Sequence, residues 1–214
     1  MTAAVPDNAG FRFRTDADAL ADALRAMAEK DAVALSFLPK ELRLVLVAEA
    51  ATLAFRRARA VVGEGERAVY QDFDLTVDFP AKSSYRAVAG AVDRAIAAAA
   101  ARIDPPPLPP GFCLDDLILQ RYVPGSAGIT PHRDHLRYRG LVAILVVSGD
   151  GRFRLALDRS GTGAREAAAA AGDLLLMRAP GFAGSRDRPF HSLTDVTRER
   201  LSFGLRWDSS RAGP

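Results

Sequence analysis

Arg200-Leu-Ser-Phe-Gly-Leu-Arg206 alternates polar or small side chains with apolar ones, and this heptapeptide is the most informative part of the sequence for the fold class. In an extended strand, successive side chains point to opposite faces of the sheet. Leu201, Phe203 and Leu205 therefore share one face, which the pattern assigns to the hydrophobic core. Both arginines point to the other face. The sequence predicts a β-strand here whose two faces lie in different environments.

Five further strand-like runs lie between residue 111 and this strand: Leu117–Tyr122, Leu141–Val147, Phe153–Leu157, Leu174–Arg178 and Phe190–Val196. Turn residues separate them. Ser148-Gly-Asp-Gly151 is predicted to close a hairpin, and Ala171-Gly-Asp173 to turn the chain into the next strand. Because no helical pattern intervenes, these strands favour an antiparallel sandwich or barrel of the jelly-roll type.

The first half of the chain has helical patterns instead. A first helix is predicted from about residue 16 to residue 30, a second begins within 37–41, and an alanine-rich third runs from about 84 to 103. Residues 61–82 fit either a strand or a loop that covers the substrate. The proline-rich stretch 105–110 cannot continue a helix and is expected to be an extended connector.

These patterns predict an α+β fold in which a jelly-roll barrel carries helices from the N-terminal half against it. Residues 1–110 are expected to form a helical extension with a substrate-cover segment, and residues 111–214 the barrel core. We expect the two parts to form one compact unit.

Composition excludes several classes of protein. The chain has 214 residues, of which 49% are hydrophobic and 26% charged, values that are ordinary for a globular domain. No apolar run is long enough for a membrane span, and the first residues do not have the pattern of a secretory signal. The one cysteine, Cys113, permits no internal disulfide and is expected to be a packed small hydrophobe. A cytoplasmic location is therefore expected. A net charge of +3 says little about partners.

Histidine is scarce, and its placement suggests a metal site. The chain has three histidines, at positions 132, 135 and 191. His132 and Asp134 are two residues apart, so both side chains face the same side if this stretch is extended. His191 lies on a later predicted strand. Two histidines and one carboxylate form the facial triad of non-haem Fe(II) oxygenases, which leaves coordination positions open for substrates.

The arginine strand points to an anionic ligand in the barrel. Two inward-facing arginines are costly unless they meet anions. A dicarboxylic cosubstrate would satisfy Arg200 and Arg206, because guanidinium groups bind carboxylates through two parallel hydrogen bonds. Gly204, between them, is expected to leave room for a ligand near the backbone. On an earlier strand, Gln120 and Tyr122 share a face and could donate hydrogen bonds to the same acid.

Taken together, these motifs resemble the AlkB-like Fe(II)- and 2-oxoglutarate-dependent dioxygenases. The resemblance spans about residues 112–207, in order. It rests on Gln120-Arg-Tyr-Val-Pro-Gly125, His132-Arg-Asp134, Gly172-Asp173, His191 and Arg200-Leu-Ser202-Phe-Gly-Leu-Arg206.

The resemblance implies a double-stranded β-helix barrel and a role for each matched residue. His132, Asp134 and His191 would hold Fe(II). Arg200, with Tyr122 and Ser202, would bind the distal carboxylate of 2-oxoglutarate, while Arg206 would lie near its keto-acid end and Gln120 would support it. The implied reaction uses O₂ and couples decarboxylation of 2-oxoglutarate to oxidation of the substrate. An aspartate at position 134 disfavours a halogenase, in which a small residue frees a site for halide.

The identity of the substrate is less constrained. In repair-type members of the family, an acidic residue two positions after the metal aspartate helps to recognise the damaged base, and here that position is Leu136. We therefore favour hydroxylation of a small-molecule or peptide-like substrate. Oxidative demethylation of N-methylated nucleobases and a non-catalytic barrel that only binds 2-oxoglutarate or metal are the alternatives. His135 is expected to lie at the barrel rim or to contact the substrate. Oligomeric state is not predicted.

Overall fold

The computed structural model describes residues 12–211, which form two antiparallel sheets and a layer of helices. The three helices are α1 (Ala17–Lys30), α2 (Lys40–Ala50) and α3 (Ser84–Ala100). The first five strands are β1 (Ala32–Ser36), β2 (Arg56–Arg57), β3 (Val61–Val62), β4 (Val69–Asp72) and β5 (Asp74–Thr76). The remaining strands are β6 (Asp116–Tyr122), β7 (Gly128–His132), β8 (Tyr138–Ser148), β9 (Arg152–Ala156), β10 (Arg165–Glu166), β11 (Asp173–Arg178), β12 (Phe190–Thr194) and β13 (Arg200–Asp208).

The strands form a larger and a smaller sheet. The larger sheet has the order β1-β11-β8-β13-β6-β5-β2, and the smaller has the order β10-β9-β12-β7-β4-β3. Consecutive strands often belong to different sheets, as in β4 and β5, which are separated only by the buried Phe73. This alternation between two facing antiparallel sheets is the predicted double-stranded β-helix, so the predicted α+β fold is confirmed.

Two hydrophobic cores follow from the period-two alternation of the strands. In β8, Leu141, Ala143 and Leu145 pack with the helices in an outer core, whereas Val142 belongs to an inner core between the sheets. The same alternation in β13 sends Leu201, Phe203 and Leu205 to the helices. The polar face of β13 is thereby directed between the sheets, as the sequence predicts.

The helix boundaries have local causes. Asp16 caps α1 by accepting a hydrogen bond from the backbone N–H of Ala19 at 2.9 Å, and Ser83 caps α3 by accepting one from the N–H of Tyr85 at 3.1 Å. Pro39 precedes α2 in an extended conformation. The three predicted helices are confirmed, although α3 ends three residues before Ile103.

The structure differs from the expectations in several respects. Strands β1 and β2 come from the half of the chain that was expected to be helical, and β7 and β10 were not predicted, whereas β3 to β5 lie within residues 61–82, for which a strand was one of the two alternatives. Ser148–Gly151 does not close a hairpin, because β8 and β9 belong to different sheets and the turn carries the chain from one to the other. Cys113 is exposed rather than packed.

Two expectations stay predictions. The division of the chain at residue 110 is one, and the segment 61–82 as a substrate cover is the other. The expectation about the N-terminal residues 1–7 lies outside the described residues. Among the described residues, the longest helices are too short or too polar to cross a membrane.

Candidate active site

Strand pairing brings the two predicted histidine ligands together. His132 is the last residue of β7, and His191 lies in β12 directly opposite it in the antiparallel register. Their ring centroids are 4.2 Å apart. Because directly opposed residues of an antiparallel pair project to the same face, the fold sets both imidazoles at one point between the sheets.

Asp134 completes the cluster from the loop that follows β7. Its Oδ1 lies 3.9 Å from Nε2 of His132 and 3.9 Å from Nε2 of His191. All three ligand atoms lie within 4.8 Å of one another, a separation that one metal ion can bridge. The expectation that His132 and Asp134 face the same side is met, but only His132 belongs to a strand.

Backbone carbonyls fix the tautomer of both histidines. The Nδ1–H of His132 donates to the carbonyl of Thr130 at 2.9 Å, and the Nδ1–H of His191 donates to that of Pro189 at 3.4 Å. Both Nε2 atoms are therefore left with a free lone pair directed toward Asp134. Burial lowers the pKa of His132 and, together with the neighbouring His132 ring, lowers the pKa of His191 to about 3. Neutral imidazoles are the form that binds metal.

Arg206 holds Asp134 in its ionised form. Its Nε donates to Oδ2 of Asp134 at 3.3 Å, which leaves Oδ1 toward the histidines. Burial alone would raise the pKa of Asp134, but the positive charge of Arg206 keeps it well below its usual range. The donors of the cluster are thus two neutral nitrogens and one anionic oxygen, the set expected for a facial triad.

Arg200 occupies the same face of β13 but has no such partner. It is 1% exposed, and its Nε donates to the hydroxyl of Ser202 at 2.9 Å. Its Nη1 is buried and has no hydrogen-bond partner among the described residues. A buried guanidinium with an unsatisfied donor is costly, so this position is suited to an anionic ligand.

The other predicted cosubstrate residues line the same small inner cavity. Tyr122 lies opposite Arg200 and Gln120 opposite Ser202 in the pairing of β6 with β13. The cavity also reaches His132, His191 and Arg206. The guanidinium of Arg200 and the hydroxyls of Tyr122 and Ser202 therefore line one space with the candidate metal ligands His132 and His191, a set of groups that suits a dicarboxylic keto acid bound to a metal.

Gly204 avoids a close contact with the neighbouring strand β6. A Cβ at this position would lie 3.0 Å from Cγ2 of Ile118, a tight contact, whereas its distance of 3.5 Å from Nη1 of Arg206 is ordinary van der Waals contact. The absent side chain therefore accommodates Ile118, and the expected room for a ligand near the backbone stays a prediction.

A larger cleft of about 690 Å³ lies on the outer side of the cluster. It shares Gln120, Ile129, His132 and Arg206 with the inner cavity, so the candidate metal ligands stand between the two spaces. His135 is exposed and lines the cleft, in line with the expected rim position, and does not join the three-residue cluster.

Several residues of the site were not predicted from the sequence. Phe153 stacks on the ring of His191 with centroids 5.5 Å apart. Tyr138 lies against Arg206, whose guanidinium is 5.2 Å from the ring centroid. Arg188 donates to the backbone carbonyl of Asp134. Phe153 and Arg188 belong to predicted strands or their flanks, but nothing in their spacing indicates which side chains meet the cluster.

Comparison with known proteins gives structural relatives only. No family model matches the chain, and no curated protein matches it. A prolyl-4-hydroxylase from Pseudomonas putida matches with a TM-score of 0.61 and 21% identity, over 88% of this chain and 98% of that one. A prolyl hydroxylase from Trichoplax adhaerens, solved with a hypoxia inducible factor peptide fragment, has a TM-score of 0.64 and 12% identity, over 92% and 94%.

A third solved structure is an oxidoreductase of the 2OG-Fe(II) oxygenase family from Burkholderia pseudomallei. Its TM-score is 0.56 at 16% identity, and the match covers 94% of this chain and 99% of that one. These identities are low, but the three matches cover 88–94% of this chain and 94–99% of the other. The chain therefore has the double-stranded β-helix fold of the 2-oxoglutarate/Fe(II) oxygenases.

Proposed function

We propose that the protein is an Fe(II)- and 2-oxoglutarate-dependent dioxygenase that hydroxylates a small-molecule or peptide-like substrate. The observation that carries the proposal is the pairing of a His-Asp-His cluster with a buried, unsatisfied Arg200 in one cavity. A purely structural metal site would not need the arginine, and a purely structural arginine would have a partner within the chain. The fold shared with prolyl hydroxylases supports the proposal.

Each residue has a role that follows from its position. His132, Asp134 and His191 would hold the metal, and Arg206 keeps the aspartate ionised and oriented. Arg200 would bind the distal carboxylate of the cosubstrate. When bound, Fe(II) and 2-oxoglutarate supply O₂-dependent oxidising chemistry that hydroxylates a C–H bond and yields succinate and CO₂.

A binding experiment without turnover tests this proposal. Under anaerobic conditions, the protein should bind one Fe(II) per chain and, on addition of 2-oxoglutarate, show the charge-transfer absorption of the chelated keto acid. Asp134→Ala should lose both signals, because the cluster loses its only anionic ligand. Asp22→Ala, a change of an exposed carboxylate on α1, is the matched control and should retain both.

The second arm of the experiment measures turnover. With O₂ admitted, the wild-type protein should release succinate from 2-oxoglutarate, and Asp134→Ala should not. Succinate release that persists in Asp134→Ala, or a wild-type protein that binds neither Fe(II) nor 2-oxoglutarate, contradicts the proposal. The second result would favour the barrel fold without this activity.

Demethylation of N-methylated nucleobases is a second candidate, favoured by the order of the motifs between Gln120 and Arg206. Leu136 speaks against it, because an exposed apolar side chain cannot accept hydrogen bonds from a base edge. Base-flipping enzymes also stack the extruded base on aromatic rings. We expect no stoichiometric formaldehyde when the iron-loaded protein is incubated with methylated single-stranded DNA or RNA. Robust release would establish the demethylase instead.

A further inference from the structure

The outer cleft beside the metal cluster carries more positive charge than its own carboxylates can neutralise. Its charged side chains are Asp134 and four arginines, at positions 133, 137, 188 and 206. Asp134 is already paired with Arg206 at 3.3 Å, and Arg137 lies 3.2 Å from the carboxylate of Asp208. Two arginines of the cleft are left.

Arg133 and Arg188 form no ion pair within residues 12–211. Arg133 stacks its guanidinium 4.1 Å above the ring centroid of Phe190. Arg188 is half-buried and spends one N–H on the backbone carbonyl of Asp134. The carboxylate next to it in the chain, Asp187, is directed to Arg178 at 3.7 Å. Both cations therefore keep donors that the protein itself does not use.

A third arginine, Arg159, lies near the same aromatic ring. Its guanidinium is 5.7 Å from the centroid of Phe190, and its Nη1 is buried without a hydrogen-bond partner among the described residues. The adjacent Asp158 accepts hydrogen bonds from Ser160 and Thr162 in its own turn. Arg133 and Arg159 thus both lie over Phe190, and Arg188 lies two residues before that ring in the chain. None of the three forms an ion pair with a carboxylate of residues 12–211, an arrangement that favours a bound anion.

The rest of the cleft selects among anionic ligands. Its walls include Val62, Val69 and the exposed Leu136, which suit an aliphatic body. Phe73 also reaches the cleft but is 3% exposed, and Tyr138 is occupied by Arg137 and Arg206. Among Phe, Tyr and Trp, the described part of the cleft therefore has no free ring on which a nucleobase could stack, which leaves only the exposed imidazole of His135, whereas a peptide chain needs no such ring.

We propose that the substrate is an acidic, peptide-like molecule that places a carboxylate against Arg133 and Arg188 while its target carbon faces the metal cluster. That the bound molecule is a substrate rests on the proposed function. The binding surface itself contains no metal and can be tested without one. A carboxylate bound by Arg133 and Arg188 would orient the substrate across the cleft, because guanidinium groups bind carboxylates in a fixed geometry.

The test is capture of peptides by the immobilised full-length protein. The library contains randomised peptides with one proline each and both termini blocked, and a second library leaves the C-terminal carboxylate free. Captured peptides are identified by mass spectrometry, once with metal-free protein and once with Fe(II) and 2-oxoglutarate under anaerobic conditions. Peptides with Asp or Glu should be enriched about tenfold or more over their Asn and Gln counterparts, and the preference should weaken at high salt.

Variants assign the preference to the two arginines. Arg133→Gln should reduce the enrichment, and Arg133→Gln/Arg188→Gln should abolish it. Arg139→Gln is the matched control, since Arg139 is exposed and lines a different cavity. Arg133→Gln changes an exposed side chain that forms no hydrogen bond or ion pair among residues 12–211, so it also serves if the double variant folds poorly. Enrichment in the blocked library assigns the carboxylate to a side chain, and enrichment confined to the free library assigns it to a chain end.

Three results would overturn the inference. If the protein captures peptides without regard to their charge, or prefers neutral or basic peptides, the cleft does not bind a carboxylate of the substrate. An acidic preference that survives in both arginine variants places the site elsewhere. Tighter capture of a single-stranded oligonucleotide than of any peptide, lost in the same variants, assigns the arginines to a phosphate backbone. The anaerobic Fe(II) and 2-oxoglutarate signals report separately on the proposed function, so each idea can fail alone.

Discussion

Two arginines on one face of β13 differ in what the chain offers them. Arg206 has a carboxylate partner in Asp134, whereas Arg200 has, among residues 12–211, only the hydroxyl of Ser202 and an unsatisfied Nη1. The first therefore belongs to the candidate metal cluster. The second is the residue that we propose to bind the anionic cosubstrate. We therefore expect substitutions of Arg200 and Arg206 to have different effects, although the two side chains are chemically identical.

Substitution of Arg200 by lysine should weaken cosubstrate binding without removing the metal. Lysine keeps the charge but loses the planar fork and cannot reproduce two parallel hydrogen bonds. We expect 2-oxoglutarate to bind more weakly by about 1.5–3 kcal/mol, which corresponds to about 13- to 160-fold. The measurement is titration of 2-oxoglutarate into the Fe(II)-loaded protein, followed by its charge-transfer absorption.

Arg206→Lys provides the contrast. This change acts on the residue that orients Asp134, so Fe(II) affinity should fall along with 2-oxoglutarate affinity. In Arg200→Lys, Fe(II) affinity should stay at the wild-type value. If Arg200→Lys binds 2-oxoglutarate like the wild type, the orphaned guanidinium is not the cosubstrate site.

At the scale of elements, the sequence was most informative where one strand carries the whole signal. The alternation of β13 correctly predicted which side chains face the helices and which face the cavity. The cluster of His132, Asp134 and His191 was also predicted, because histidines are few and the triad spacing is specific. Both inferences needed only local periodicity and residue chemistry.

What the sequence could not indicate depends on pairing across distant segments. Strand β7 contains Gly128 and Pro131, which mask its strand character, and its register with β12 is what opposes the two histidines. The turn at Ser148–Gly151 has the residues of a hairpin, yet it connects two sheets. Likewise, Arg133 and Arg159 lie over Phe190 from two separate loops whose approach no local pattern encodes.

That sheet-connecting turn is anchored to the beginning of β13 by Asp150. Its carboxylate accepts hydrogen bonds from the N–H and hydroxyl of Thr197 at 2.8 and 2.6 Å, and from the N–H and Nε of Arg198 at 2.9 and 2.9 Å. Gly149, with φ of 77°, packs so closely that a Cβ would lie 2.6 Å from Cα of Arg200. The turn therefore helps to position the backbone of Arg200, the proposed cosubstrate ligand.

Asp150→Asn should lower stability in a pH-dependent way. The hydroxyl of Thr197, and then the N–H and side chain of Arg198, hold the pKa of Asp150 well below its ordinary value. A depressed carboxylate pKa stabilises the folded state above the unfolded-state value of about 3.9, and this contribution is lost as pH falls below it. The melting temperature of the variant should thus fall below that of the wild type at pH 7, and the two should converge in acid.

A second surface turn, at Asp158, provides a control that distinguishes a loss of stability from a displacement of Arg200. Asp158 also accepts hydrogen bonds within its own turn, from Ser160 and then from Thr162, which lower its pKa to about 2. Asp158→Asn should show a similar pH-dependent loss of stability but leave 2-oxoglutarate affinity unchanged. Asp150→Asn should lower that affinity several-fold. Equal affinities in the two variants would mean that the Asp150 anchor does not position Arg200.

Across the whole molecule, stability and binding capacity are concentrated in different layers. The outer core between the helices and the larger sheet is apolar and closely packed, with Leu24, Met27, Leu46, Val92 and Phe203 fully buried. The space between the sheets instead encloses the candidate metal ligands His132 and His191 and the buried Arg200. Folding of the outer layer therefore supports polar groups that would be unfavourable in an isolated barrel.

The Arg200→Met variant should show that Arg200 lowers the stability of the ligand-free protein while it allows 2-oxoglutarate to bind. Methionine fills much of the volume of arginine but has no charge and no unsatisfied donor, while the hydroxyl of Ser202 loses one hydrogen bond. Removal of a buried, incompletely bonded cation should stabilise the ligand-free protein by about 1–3 kcal/mol. For a chain of this length, that is an increase in melting temperature of about 2–12 °C.

The same variant should lose the stabilisation that the cosubstrate gives to the wild type. A ligand that binds only the folded state stabilises it by about 2.7 kcal/mol at a hundred times its dissociation constant. With Mn(II) in place of Fe(II) to prevent oxidation, 2-oxoglutarate should raise the melting temperature of the wild type but not of Arg200→Met, measured by thermal unfolding of both. A variant that is less stable without ligand, yet still stabilised by 2-oxoglutarate, would show that Arg200 is a structural residue. A variant that is more stable without ligand and is not stabilised by 2-oxoglutarate would show that the Arg200 guanidinium serves to bind the cosubstrate.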